Sequence, residues 1–279
     1  AEDPAASRAR AAAVRGCAGT YASPPRRPDN RVDAPALLAQ LKDLRADTYN
    51  FLVWRAATDW DDLRAFLPEA VKQDVKVWVT LVPPSESPPR TSAYSEPYRL
   101  DYDRWAVEIA KLGVAHPNLV AWSIDDFALN QPTFTPDATR RMLAAARAIN
   151  PRLAFVPVVY WRFVKPGPAA PPLAAYRGLF DAVLYPYRND SVKQNLTDTG
   201  TVKPEVDRLR ELLGPDLTVI VDVYQTKHSR AGSSTPAYVR AVMAEARRAA
   251  DGVMVYTHPN PTTEPDKYAA VRDGFAARP

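Results

Sequence analysis

The 279-residue chain has one cysteine, three histidines and ten glycines. No apolar run exceeds the length of a strand. A lone Cys17 excludes a disulfide within the chain and any multi-cysteine metal site. His116, His228 and His258 leave little material for a histidine-rich centre, and no His-x-His pair exists. Scarce glycine argues against loops that cradle phosphates on backbone N–H groups. There is no Gly-x-Ser-x-Gly elbow for a serine nucleophile. Short apolar runs argue against a membrane-spanning helix. The net charge is only +4 and the basic residues are dispersed, which is no footprint for nucleic acid. No cofactor and no nucleic-acid partner is expected.

What is present is 46% hydrophobic and 24% charged residues, enough for a large core. There are 28 prolines, many of them gathered in loops at Ser23 to Pro28, Pro83 to Pro89, Pro166 to Pro172 and Pro259 to Pro265. Proline stiffens such loops. The start, Ala1-Glu-Asp-Pro-Ala-Ala, has neither a basic stretch nor an apolar one of the secretory type. It reads as the start of a mature secreted or periplasmic protein, with a cytoplasmic address also open. Asn189 and Asn195 begin glycosylation-type triplets.

Short β-rich runs alternate with helical stretches. The first run, Arg15 to Tyr21, is weak. Leu37, Leu38, Leu41 and Leu44 then share one helical face. Strands follow at Thr48 to Trp54, Asp74 to Val82, Asn118 to Ile124, Leu153 to Tyr160, Asp181 to Tyr187, Leu217 to Tyr224 and Gly252 to Thr257. Helices separate them, including a short one at Pro171 to Leu179. Thr135-Pro136 and Thr235-Pro236 are N-caps with proline at the first helical position. Eight strands and eight helices in strict alternation imply a parallel sheet with helices outside. In about 280 residues this is the arithmetic of a (β/α)8 TIM barrel, an α/β fold, as one domain over residues 1–279. A doubly wound sheet would want a glycine fingerprint after strand 1, where Tyr21-Ala-Ser-Pro-Pro stands instead.

A barrel of this kind places its site at the C-terminal ends of its strands. Those positions hold Tyr21; Trp54 and Arg55; Glu86; Asp125 and Asp126; Tyr160, Trp161 and Arg162; Tyr185, Tyr187 and Arg188; Asp222 and Tyr224; and Tyr256 and His258. Aromatic faces suit the C–H faces of sugar rings and carboxylates suit their hydroxyls, so this set points to a carbohydrate partner. Each tyrosine or tryptophan taken singly also reads as a barrel plug with its polar tip satisfied. Asp125-Asp126 is the sharpest feature. Two neighbouring carboxylates at the end of an apolar strand are costly to bury. Their proximity separates a protonated acid from an ionised neighbour. Asp61-Asp62 is the control, since it sits at a helix start where acidic residues suit the macrodipole. His228, on a loop beside Lys227, is placed to line the mouth. Cys17 reads as a small buried residue.

Ala121-Trp-Ser-Ile-Asp-Asp-Phe127, at the fourth strand of this apparent barrel, resembles the paired aspartates of glycoside hydrolase family 84. The resemblance implies hydrolysis of N-acetylglucosaminides with the substrate's acetamido group as nucleophile. It also implies that Asp125 orients the acetamido nitrogen and Asp126 is the general acid/base. The stretch Trp78 to Glu86, together with this motif, is also similar to bacterial barrel proteins of no assigned activity. The residues themselves leave other readings open. A two-carboxylate glycosidase would pair Asp126 with Asp222 or Glu86, their separation deciding retention or inversion. A non-catalytic carbohydrate-binding barrel would tie both aspartates to arginines. A lyase or isomerase would hold a divalent metal between Glu86, Asp126 and Asp222.

Overall fold

The computed structural model describes residues 3–165 and 172–277. Pro166 to Pro171, which carry most of the third proline-rich loop and the start expected for a helix at Pro171, lie outside the described residues. Eight parallel strands form one sheet in the order β5-β4-β3-β2-β1-β8-β7-β6. They are β1 (Ala18–Tyr21), β2 (Thr48–Val53), β3 (Lys76–Leu81), β4 (Leu119–Ile124), β5 (Ala154–Phe155), β6 (Ala182–Tyr187), β7 (Thr218–Tyr224) and β8 (Gly252–Tyr256). The fold is a (β/α)8 barrel.

The seam between β5 and β6 has a local cause. The expected strand to Tyr160 is reduced to two residues because Pro157 brings no N–H to the ladder. The chain still closes the barrel there. Val158 bridges Leu184, and the Leu184 N–H donates to the Pro157 carbonyl at 3.0 Å.

The outer helices are α2 (Ala34–Leu44), α3 (Asp59–Ala70), α4 (Tyr102–Ala115), α5 (Pro136–Ile149), α6 (Val202–Leu213), α7 (Pro236–Ala249) and α8 (Pro265–Ala276). The two Thr-Pro starts behave as their chemistry dictates. Thr135 accepts from the Ala138 N–H and Thr235 from the Tyr238 N–H, each at 3.1 Å. Asp61 and Asp62 lie in the first turn of α3, and Asp62 takes an ion pair from Arg31 at 2.6 Å. No helix among the described residues is long and apolar enough to cross a membrane.

The strict alternation fails at two places. Between β5 and β6 the short helix expected up to Leu179 is a 3-10 turn at Leu173–Tyr176. Before β1 lies a helix the sequence reading does not contain, α1 (Pro4–Val14), capped by Asp3. Its Val14 enters the cluster inside the barrel, and its Arg10 is buried on Asp181 at 2.9 Å. Asp181 precedes β6, so α1 seals the N-terminal end of the barrel and leaves the C-terminal end open.

Side chains alternate between the two sides of each strand. One side packs against the helices. The other fills the barrel with Trp78, Ala121, Val156, Leu184, Ile220 and Met254. One of the scarce glycines, Gly252, serves this packing. A Cβ on Gly252 would meet Ile220 Cδ1 at 2.8 Å and Cys17 Sγ at 3.0 Å. Cys17 is accordingly a buried packing residue.

Candidate active site

Above this filling, polar residues take over the inward positions. Asn50 and Leu52 come from β2, Thr80 from β3, and Asp125 follows β4. Together they line a central cavity of about 520 Å³ at the C-terminal mouth. Tyr21, Trp54, Tyr160, Tyr224, His228 and Tyr256 complete its aromatic wall. The wall is tightly knit. Tyr21 and Tyr224 lie 5.1 and 5.4 Å from Tyr256, and Tyr224 stacks on His228 at 4.4 Å. The Tyr160 and Tyr224 hydroxyls are close neighbours. The Trp54 ring is covered by the Arg55 guanidinium at 4.4 Å.

The carboxylates divide by environment. Glu86, on the 3-10 turn Pro84–Glu86 after β3, hydrogen-bonds to Asp125 across the strand ends. Burial and the neighbouring Asp125 charge push Glu86 up to about 9. Burial raises both members of the pair, so Glu86 and Asp125 share a proton above the ordinary carboxylate range. Asp125 is itself raised, chiefly by burial. It is offset by that bond and by the Asp126 N–H, which donates to Asp125 Oδ1 at 3.0 Å.

Asp126 ends the strand in the left-handed region, with φ of +46°. Aspartate tolerates this conformation better than most side chains. The turn sends its carboxyl away from the central cavity into a second groove of about 640 Å³. Burial and Asp125 push Asp126 up to about 6, against the opposing pull of Arg162 and Arg188. Tyr160 and His228 line both spaces and so stand between cavity and groove.

Asp222 lies below the cavity. It is fully buried, accepts from the Tyr21 hydroxyl through Oδ2, and has no partner at Oδ1. Its acid strength is depressed, its pKa rising mainly through burial. Glu86, Asp126 and Asp222 do not converge on one point. Among the described residues no group of three or more His, Cys, Asp or Glu side chains is arranged to hold a metal ion.

Several expected residues are placed elsewhere. Tyr185 and Tyr187 point toward the helices, donating to Glu205 Oε1 at 2.6 Å and the Asp198 carbonyl at 3.0 Å. The buried His258 is held by Thr20 at 2.9 Å and Gln40 at 2.7 Å, and burial pushes it down to about 4. Trp161 lines the groove and not the central cavity. The glycosylation triplet at Asn189 is closed, because this buried amide donates to Asp198 Oδ2 at 3.1 Å. Conversely, Asn50, Thr80 and the Thr91-Ser-Ala93 segment line the cavity without having been singled out. Asn50 and Thr80 carried one signal, a polar residue in the middle of an apolar strand. The two are bonded to each other at 2.7 Å.

The Glu86 proton has a consequence for stability. The folded-state pKa lies near 9 and the ordinary value is 4.5, so between these the folded state binds the extra proton. Stability from this group is full below the ordinary value and falls as pH rises through that window. Glu86→Gln keeps a donor to Asp125 and cannot ionise. Thermal melts at acid and alkaline pH are expected to show a flatter pH dependence for the variant. Its Tm should exceed wild type by about 2–4 °C on the alkaline side. Identical pH dependence in the two proteins would remove the shared proton from the account.

No protein-family model matches the chain. No curated protein matches it in sequence. Solved structures do match in shape. GH5_18 from Streptomyces cattleya, in complex with GlcNAc, superposes with a TM-score of 0.68 at 11% identity, covering 95% of this chain and 82% of that one. A GH113 β-1,4-mannanase gives 0.62 at 11% identity, covering 94% and 98%. A chitinase from Chromobacterium violaceum gives 0.61 at 10% identity, covering 94% and 100%. At such identity the likeness is one of fold.

Proposed function

We propose that the protein is a glycoside hydrolase acting on an oligo- or polysaccharide at the mouth of the barrel. The observation that carries this reading is the division of labour among three carboxyl groups. A proton-sharing Glu86–Asp125 pair faces an aromatic cavity, while Asp126, with a pKa near 6, lines the adjoining groove. The shape neighbours act on or hold sugars by their own descriptions, which favours the same class here.

In this reading a sugar ring sits in the central cavity against Tyr21, Tyr160, Tyr224 and Tyr256, and the leaving group extends into the groove. Asp126 in its acid form protonates the glycosidic oxygen as the C–O bond breaks. A pKa close to the working pH is what such a group needs. With the shared proton on Glu86, an ionised Asp125 would face the positive charge that develops on the sugar. Glu86 is a positioning residue.

The family 84 resemblance refines the second half of the step. For a 2-acetamido sugar, Asp125 would accept the acetamido N–H while the acetamido oxygen attacks the anomeric carbon. Water later opens the resulting ring, its proton passing to Asp126. Asp222 is a weaker candidate nucleophile because it lies beneath the cavity with one oxygen committed to Tyr21.

The test is release of reducing ends from a panel of neutral, N-acetylated and acidic glycans by the intact protein. Hydrolysis of at least one member is expected, with kcat/KM falling above about pH 6 as Asp126 ionises. Saturable binding of glycans with no hydrolysis at any pH would support a carbohydrate-binding barrel instead.

A further inference from the structure

The groove beside Asp126 has a charge that the hydrolysis step does not require. Arg162, Lys165, Arg188 and Arg230 line it, against only Asp126 and Asp190. Arg188 is committed. It binds Asp190 through Nε at 3.1 Å and Nη2 at 3.0 Å, and its guanidinium lies 4.9 Å from the centre of the Tyr160 ring.

The other three cations are exposed, and among the described residues none makes an ion pair. Exposed cations without an ion pair also occur elsewhere, Arg90 and Arg152 among them, but these three share one groove. Arg64, Arg99, Arg140 and Arg248 are each paired with a carboxylate one helical turn away or close by. Arg162 instead rests its guanidinium over Phe163, 4.9 Å from the ring centre, which leaves its donor edge open. The 3-10 turns at Trp161–Phe163 and Ser229–Ala231 hold Arg162 and Arg230 on two loops of the same groove.

We infer that this groove is a leaving-group subsite for an acidic saccharide, one whose carboxylate or sulfate ester is taken by Arg162, Arg230 and Lys165. Guanidinium forks match the planar oxygens of a carboxylate and the oxygens of a sulfate ester alike. Among the described residues no glycine lines the groove to supply a backbone cradle for phosphate. The central cavity is lined by Arg55 against Glu86 and Asp125 and offers no comparable surplus of positive charge. The acidic unit therefore belongs on the groove side of the bond that breaks. This assignment of sides rests on the reading of Asp126 as proton donor.

The test is a glycan array with uronate-bearing, sulfated and neutral arms of matched length. It is probed with wild type, with the Arg162→Gln/Arg230→Gln double variant, and with Lys165→Glu as a second, independent change. Melting temperatures check that each variant folds. Wild type is expected to prefer one anionic arm over the neutral arm, and the preferred arm identifies the anion. The double variant should lose that preference by about 10–100-fold, the range for hydrogen bonds to charged groups. Added salt should weaken the anionic arm alone.

Anionic binding that follows this pattern without turnover of any glycan keeps the groove as an anionic-saccharide site but removes the hydrolase reading and with it the leaving-group assignment. Turnover with no preference for acidic leaving groups, unchanged in the double variant and in Lys165→Glu, overturns the subsite and leaves the hydrolase reading intact.

Discussion

Asp126→Asn is expected to lower kcat by about 10²–10⁴-fold, the range for loss of a general acid, with a much smaller change in KM. Asparagine matches aspartate in shape and cannot give up a proton at the glycosidic oxygen. It is also well suited to the left-handed backbone at this position, so the turn after β4 should survive the change. The falling limb expected in the wild-type profile near pH 6 would belong to this carboxyl. It should vanish from whatever activity the variant retains. Full activity in a variant with an unchanged melting temperature would mean that the proton comes from elsewhere.

Asp125→Asn is expected to cost about 10²–10³-fold in kcat, the scale of one electrostatic partner lost from a water-poor site. Here the geometry predicts a second signature. Glu86 sits near 9 partly because of the Asp125 charge, so neutralising Asp125 should bring the Glu86 pKa down. Carbon-13 NMR titration of the glutamate carboxyls would follow it. Asp126 is also raised by Asp125, so its pKa should fall as well. A variant that loses activity with neither carboxyl moving would place Asp125 in packing and outside the charge network.

The architecture was legible because it repeats. Each strand alternates or runs apolar, and Thr135-Pro136 and Thr235-Pro236 mark helix starts that a local rule can read. The N-terminal helix was not, because Pro-Ala-Ala-Ser-Arg-Ala-Arg-Ala-Ala-Ala-Val has almost no apolar face. Its buried anchor is Arg10, which becomes an inside residue only when Asp181, far along the chain, supplies the partner. The curtailed β5 follows from Pro157, a single residue whose missing N–H outweighs the apolar run around it.

For the candidate site, the strand-end rule gathered Tyr21, Trp54, Glu86, Asp125, Tyr160, Tyr224 and Tyr256 around one cavity. It could not separate these from Tyr185 and Tyr187. Barrel strands are buried on both faces, so hydrophobicity does not say which parity points inward. On β6 the inward residue is Leu184, which leaves Tyr185 and Tyr187 to the helices. His258 escapes for another reason: β8 ends at Tyr256, and the alternation stops with it. Nor does any local pattern announce that Glu86 bonds to Asp125, since the contact joins the ends of two strands. The neighbouring aspartates read as one unit, yet the left-handed turn at Asp126 sends them into adjoining spaces.

The central claim is that Asp126 delivers a proton to the leaving group, and leaving-group dependence tests it most directly. For whichever sugar the panel identifies, kcat of wild type and Asp126→Asn would be compared on two glycosides. One has an alkyl leaving group, which needs the proton, and the other a dinitrophenyl group, which departs without it. The account predicts a large loss on the alkyl glycoside and little on the dinitrophenyl glycoside. Equal losses on both, or none on either, would contradict it.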